Sequence, residues 1–311
     1  MPDKPGSQRW RQSAIALGKS AQSVFAQVRR HSAKASAATG RRTGAALARA
    51  LDGGYRGEAV VAVAHDPTGA EIEVADLSVA YGGALALEGL NGRFEAGSLT
   101  AVAGPNGAGK SSLLRALAGL QRPRTGRIVC PALAKGQLAY LPQQAAIDRN
   151  FPITVDAFVT LGGWRTYGAF RPPPQTMIQR ASEAVAMVGL EDLRRRPIGA
   201  LSVGEFQRAL FARLLLQDAA VVLLDEPFAA IDEQTTQDLL AIVQRLHAQQ
   251  RTVIAVLHDF AQVRAHFPQT MLLARRCVGW GDTAQVLSDD NLALARNALR
   301  LPTGRPAQAA A

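Results

Sequence analysis

The sequence predicts an α/β fold with parallel strands joined by helices. Three observations predict it. Short apolar runs at residues 99–103, 221–224 and 253–257 read as buried strands, the last two with the uninterrupted pattern of a parallel sheet. Residues 234–249 between those two read as a connecting helix, and repeated strand–helix units imply right-handed parallel crossovers. Residues 71–80 instead alternate, with Ile72, Val74, Leu77 and Val79 apolar, which reads as one or two strands at a sheet edge.

In chain order, Gly82-Gly83 reads as a turn, and residues 84–94 as a strand pair broken at Asn91-Gly92. After the strand at 99–103 comes a glycine-rich loop. A helix over residues 112–120 follows, with Leu113, Leu114 and Leu117 on one side. Residues 123–126 form a turn. A strand, Leu138-Ala-Tyr-Leu141, is ended by Pro142-Gln143-Gln144. Residues 181–188 are helical and stop at Gly189. Ser202 and Glu205 have capping-box spacing at the head of a helix reaching Gln217, so an ordinary N-cap role fits Ser202. Residues 271–274 and 277–280 read as a hairpin about Arg275-Arg276, residues 288–299 as a helix, and the end as a frayed tail.

Charge divides the chain. Residues 1–57 hold 11 Lys+Arg against 2 Asp+Glu, while the remainder holds 24 against 23. The net +10 therefore describes a near-neutral domain with a basic extension, and gives no support to nucleic-acid binding by the core. Only seven Leu, Ile, Val or Phe in residues 1–57 argue disorder. Trp10, Leu17, Phe25 and Val28 also fall near one helical face among Arg and Lys, the pattern of a basic amphipathic helix on an anionic membrane. The composition has some likeness to an organelle transit peptide as well, without the apolar region of a secretory signal. Two cysteines, Cys130 and Cys277, fit a reducing compartment, and no apolar run of about 18 residues is present.

The chemistry gathers at strand ends. Gly104-Pro105-Asn106-Gly107-Ala108-Gly109-Lys110-Ser111 joins a strand to a helix with the spacing of a P-loop. Its glycines let several N–H groups face one anion, and the helix start adds partial positive charge. Lys110 would reach outer phosphates and Ser111 a Mg²⁺ ion. Asp225 and Glu226 end the strand 221–224, where two carboxylates are costly unless a cation or water meets them. His258 ends the strand 253–257. Ligands of open α/β sheets bind at such carboxyl ends, so Gly104, Asp225, Glu226 and His258 converge. For Tyr81, 23 residues before Gly104, stacking on a base and an ordinary edge-strand aromatic fit equally.

Leu201-Ser-Val-Gly-Glu205 resembles the signature motif of ABC-type ATPases. With the P-loop, Gln143, Asp225-Glu226 and His258, it completes that family's set in the family's order over roughly residues 71–290. Val203 stands where the family usually has Gly, and Glu205 where Gln is common. The resemblance implies an α/β ABC ATPase core, a mixed sheet with parallel strands plus an antiparallel edge sheet, with an α-helical subdomain over about residues 144–218, that binds and hydrolyses ATP with Mg²⁺. It implies that Tyr81 stacks on adenine and that residues 104–112, Ser112 included, hold the phosphates. Ser111, Gln143 and Asp225 would serve Mg²⁺ and its waters. Glu226 would be the general base, and His258 would bond the γ-phosphate. Ser202, Gly204 and Glu205 would meet a nucleotide held by another copy, toward which residues 229–232 would cross.

One P-loop, one signature and no span resemble the separate ATPase subunit of an importer. Residues 146–155 resemble the same region of zinc and manganese importer subunits, which implies zinc first and manganese or iron next. The implied partners are a membrane permease, an extracytoplasmic metal-binding protein and a second ATPase subunit. The implied place is the cytoplasmic face of the inner membrane. The other class carried is an ABC-type ATPase of translation or DNA. Against it stand the single ATPase unit and the short interval from Gly104 to Leu201, which leaves no room for a long coiled coil.

Overall fold

The computed structural model describes residues 69–81, 84–144, 147–168 and 171–298. The basic extension at 1–57, the turn at Gly82-Gly83, Ala146 and the tail from 302 lie outside the described residues. In chain order the first elements are β1 (Ile72–Tyr81), β2 (Ala84–Phe94), β3 (Leu99–Ala103), α1 (Lys110–Leu117), β4 (Thr125–Val129), α2 (Pro131–Ala134), β5 (Leu138–Leu141) and α3 (Val155–Thr160). One helical turn, α4 (Trp164–Tyr167), belongs with residues 171–174 to a second, short unit. The main body continues with α5 (Gln175–Met187), α6 (Val203–Leu216), β6 (Val221–Asp225) and α7 (Glu233–Ala248). It ends with β7 (Thr252–Val256), α8 (Phe260–His266), β8 (Gln269–Ala274), β9 (Arg276–Asp282), α9 (Thr283–Val286) and α10 (Asp289–Ala298).

The strands make two sheets. The larger runs β5-β6-β7-β3-β8-β9; its first five strands are parallel and β9 closes it antiparallel to β8. Every residue of β3, β6 and β7 is buried, as their apolar runs require. The smaller sheet, β2-β1-β4, is antiparallel. One core joins the two: Ile72, Leu87 and Phe94 from the small sheet, Leu113, Leu114 and Leu117 from α1, and Val102, Leu223 and Ile254 from the large one. The three leucines of α1 are fully buried, each worth roughly 1.5–3 kcal/mol of burial. That burial fixes the glycine-rich loop at the junction of β3 and α1.

Some expectations change. β1 is the centre of its sheet, because β4, with only Ile128 and Val129 apolar, pairs along its other side. The turn expected at 123–126 accordingly gives way to β4 from Thr125. Residues 84–94 are one strand without a break. Asn91 stays in it because its Oδ1 accepts from the Asp76 N–H, 2.8 Å away, where β1 bulges. Gly92 stays because the Trp280 ring lies over it, at 2.3 Å from where a Cβ would stand. The first helix starts at Lys110 and ends before Gly119, which takes φ +71°, so Leu120 lies beyond it and exposed. The helix expected over 181–188 begins six residues earlier, at Gln175.

Candidate functional site

The glycine-rich loop is set by close packing. A Cβ on Gly104 (φ +143°) would stand 2.1 Å from the Leu273 carbonyl, and one on Gly109 (φ +95°) 2.2 Å from that of Ala86. Only glycine meets both the backbone angle and the space. The Arg275 N–H donates to the Ala108 carbonyl at 3.0 Å, tying the loop to the turn between β8 and β9. Pro105 and Asn106 lie at the surface side of the loop, and Gly107 has open space around it. α1 begins at Gly109 with no side-chain cap and no acid in its first turn. Its first N–H groups, those of Lys110, Ser111 and Ser112, therefore suit an anion.

Lys110 is 6% exposed, and its Nζ donates to the carbonyls of Gly104 at 2.8 Å and Pro105 at 3.0 Å. Burial pushes this ammonium below its ordinary range, while the charges of Glu226 and Asp225 pull the other way. The ammonium sits at the loop's own mouth with partners that a phosphate oxygen would replace.

Asp225 ends β6 and is wholly buried. The Ser111 hydroxyl donates to its Oδ1 at 2.9 Å and the Tyr140 hydroxyl to its Oδ2 at 3.2 Å. Burial raises this carboxyl above the usual range, the two hydroxyls lower it, and Glu226 raises it. Tyr140 in turn is pushed up to about 12, first by burial and then by Asp225. Gln143 Nε2 reaches the Ser111 oxygen at 3.5 Å. A hydroxyl, a carboxylate and a carboxamide are hard oxygen donors, the kind Mg²⁺ takes together with phosphate oxygens. Among the described residues no group of three or more His, Cys, Asp or Glu gathers to hold a metal by itself. The set therefore fits Mg²⁺ brought with a phosphate.

Glu226, next in line, takes φ +52°, a left-handed conformation costing about 1–2 kcal/mol for a residue with a Cβ. Its N–H donates to the Val256 carbonyl at 3.2 Å, which ties the turn to β7. Its Oε1 lies 2.5 Å from His258 Nε2, just beyond β7. Parallel pairing of β6 with β7 brings this pair together, as the strand-end argument expects.

The signature segment sits apart from these contacts. Ser202 caps α6: its hydroxyl accepts from the Glu205 N–H at 3.2 Å, and the Glu205 carboxylate takes the Ser202 N–H at 2.7 Å. Gly204 lies against Asp232 and Thr235 at the head of α7. Ser202 and Val203 are exposed. Tyr81 ends β1, and its side chain is outside what the structure describes.

Sequence reasoning missed Tyr140, whose signal is a hydroxyl within an otherwise apolar strand. It also missed Gln144 and Gln207, which join the segment after β5 to α6 at 2.6 Å and carry no signal of their own in a polar run. A groove of about 510 Å³ opens beside Gln143, lined by Arg115, Leu120, Tyr140, Arg213 and Gln217.

Residues 87–229 match the family model described as ABC transporter. The chain is 33% identical over 228 residues to a manganese transport system ATP-binding protein of Listeria monocytogenes, covering 72% of this chain and 95% of that one. To a zinc transport system ATP-binding protein of Treponema pallidum it is 34% identical over 223 residues, covering 70% and 84%. Among solved structures it resembles an ABC transporter in an inward-facing conformation, with TM-score 0.66, 28% identity, and 74% and 90% of the two chains covered. The dimeric structure of a bacterial ABC transporter cassette shares the fold at TM-score 0.61 and 22% identity, with 68% and 98% covered.

Proposed function

The chain belongs to the ABC transporter family as one of its ATP-hydrolysing subunits, and from that premise we propose that it drives a membrane permease importing a divalent metal ion, zinc or manganese. The observation that carries this is the likeness, over nearly their whole length, to relatives named for manganese and zinc transport. No described helix is long and apolar enough to cross a membrane. We accordingly read the chain as a peripheral subunit on the cytoplasmic face, partnered by a permease and by an extracytoplasmic metal-binding protein. The groove beside Gln143, with Arg115, Arg213 and the exposed Leu120, offers the permease an apolar and cationic seat. Residues 71–290 carry every site residue, with 144–218 as the helical subdomain, 1–57 as an extension and 291–311 as a helix end and tail.

ATP is the substrate. Residues 104–112 cradle its phosphates, and Lys110 moves from the carbonyls of Gly104 and Pro105 to the outer two. Tyr81 stacks on the base. Bound Mg²⁺ supplies charge neutralisation at the phosphates, held through Ser111, Gln143 and Asp225. Glu226 takes the proton of the attacking water, and His258, hydrogen-bonded to it, holds the γ-phosphate side of the site. Most of the rate comes from positioning and charge stabilisation. Ser202, Gly204 and Glu205 of a second copy complete each site.

Growth of a strain lacking this protein tests the transport reading. Growth should fail only when zinc or manganese is scarce and return on adding the missing ion. Rescue by iron alone would move the assignment within metal importers, and rescue by an amino acid or sugar would discard it.

A further inference from the structure

Among the buried residues of α6, Gln207 alone is polar, and it is 1% exposed. A buried amide costs stability unless both its ends are bonded. Its Nε2 donates to the Pro227 carbonyl at 2.6 Å, and its Oε1 accepts from Gln144 Nε2 at 2.6 Å. Gln144 Nε2 also donates to the Val203 carbonyl at 3.2 Å. The carbonyls of Pro227 and Val203 can only accept, so the direction of both amides is fixed.

The three segments joined here are those with chemical roles. Gln144 follows Gln143, which meets Ser111. Val203 opens α6 beside Ser202. Pro227 follows Glu226, and Pro has no N–H, so its carbonyl is that residue's one backbone handle. Glu226 itself stands in a left-handed conformation, which persists only where the surroundings over-determine it.

We propose that Gln207 is a positioning residue for ATP hydrolysis, registering the turn that carries Glu226 against the Gln143-Gln144 segment and the start of α6. The proposal rests on the base role given to Glu226 above. Gln207 touches neither phosphate nor water; it acts through Pro227 and Gln144.

The test compares Gln207→Leu, Gln144→Ala and the double variant in the full chain. Turnover is counted per nucleotide-binding molecule, so that unfolded protein drops out. Misplacing a base by a fraction of an ångström should cut kcat roughly tenfold. KM for ATP should stay within about twofold, because the phosphate cradle is untouched. The double variant should be no slower than Gln207→Leu alone, since both substitutions break one linkage. Gln144 is only half-buried, so Gln144→Ala keeps the test alive if Gln207→Leu does not fold. Parent kcat per binding molecule in Gln144→Ala, or losses that multiply in the double variant, would overturn the positioning role. Glu226→Gln separates the two ideas. If that variant still hydrolyses ATP, the base assignment goes. If it is inactive while Gln207→Leu turns over at the parent rate, only the positioning role goes.

Discussion

α1 begins at Gly109 with no side chain on its first N–H groups, whereas α6 begins at Ser202 with a closed capping box. The contrast extends to charge. Around α1, burial pushes Lys110 down and Asp225 up, each toward its neutral form. Around α6, the Ser202 N–H holds the Glu205 carboxyl below the usual range, and the Thr235 N–H and hydroxyl do the same for Asp232 at the neighbouring cap. One region is left electrostatically short by its own fold, and the other is satisfied by it. The first suits the phosphate and cation proposed above, since each group there is disfavoured in its charged form by burial. The second offers exposed groups at a capped helix start, which under the proposed function would meet a phosphate held by a second copy.

The largest effect that could break this comparison belongs to Glu226. Glu226→Gln keeps shape and hydrogen bonding but removes the proposed base, so hydrolysis should slow by about 10²–10⁴. ATP binding should stay near the parent value, because this carboxylate does not hold the phosphates. Two copies, each lending its α6 start to the other's loop, should then accumulate with Mg-ATP and not with Mg-ADP. Light scattering reads this directly. A variant that stays monomeric with saturating Mg-ATP at roughly tens of micromolar protein would mean that a second copy does not complete the site.

A smaller effect separates the capping role of Ser202 from the phosphate role proposed for it. Asp is as good an N-cap as Ser, but it has no hydroxyl to donate and brings a negative charge. Ser202→Asp should therefore leave the thermal midpoint within roughly 4 °C of the parent. Hydrolysis should fall by about 10²-fold, the usual cost of one lost donor at a developing charge. Ser202→Ala loses the cap as well, at about 1 kcal/mol. If Ser202→Asp hydrolyses ATP like the parent, the segment is only a cap.

How much of this could be read beforehand follows the same division. β3 and β5 were legible to the residue and β6 to all but its last, Asp225, because burial leaves an apolar run with sharp ends. The carboxyl ends of β3, β6 and β7 converge, so Gly104, Asp225, Glu226 and His258 could be grouped from the sequence alone. β4 was not legible: it pairs through backbone, and only Ile128 of its five residues shares in the core. The break expected at Asn91-Gly92 failed because turn-forming residues were serving tertiary needs, a bulge partner and a seat for Trp280. The capping box was legible from Ser202 and Glu205 because it is local. The Gln144–Gln207–Pro227 linkage spans elements far apart in the chain, and no periodicity marks it.

The smallest effect tests the electrostatic contrast itself, through its sign. Asp225 is raised first by burial, so the folded protein favours its neutral form. Below the ordinary aspartate range the folded and unfolded chains both hold the proton, and no penalty exists. As pH rises, the unfolded chain ionises first, and the folded protein loses stability until the pH passes the raised value. The penalty is then complete at neutral pH. Asn at this position has the same shape, accepts from Ser111, and has no charge to bury. Asp225→Asn should thus raise the midpoint at neutral pH by roughly 2–4 °C while impairing hydrolysis, and the gain should vanish in acid. Asp232 is lowered instead, by hydrogen bonds to its charged form, so its contribution is present above the ordinary value and lost as pH falls through the lowered one. Asp232→Asn should therefore lose stability at neutral pH, slightly, since Asn also caps well, and that loss too should vanish in acid. Thermal unfolding of the two variants across pH decides the matter. Opposite signs at neutral pH are what a carboxyl desolvated beside the α1 loop and one hydrogen-bonded at the α7 cap require; shifts of the same sign would show that the two regions do not differ in this way.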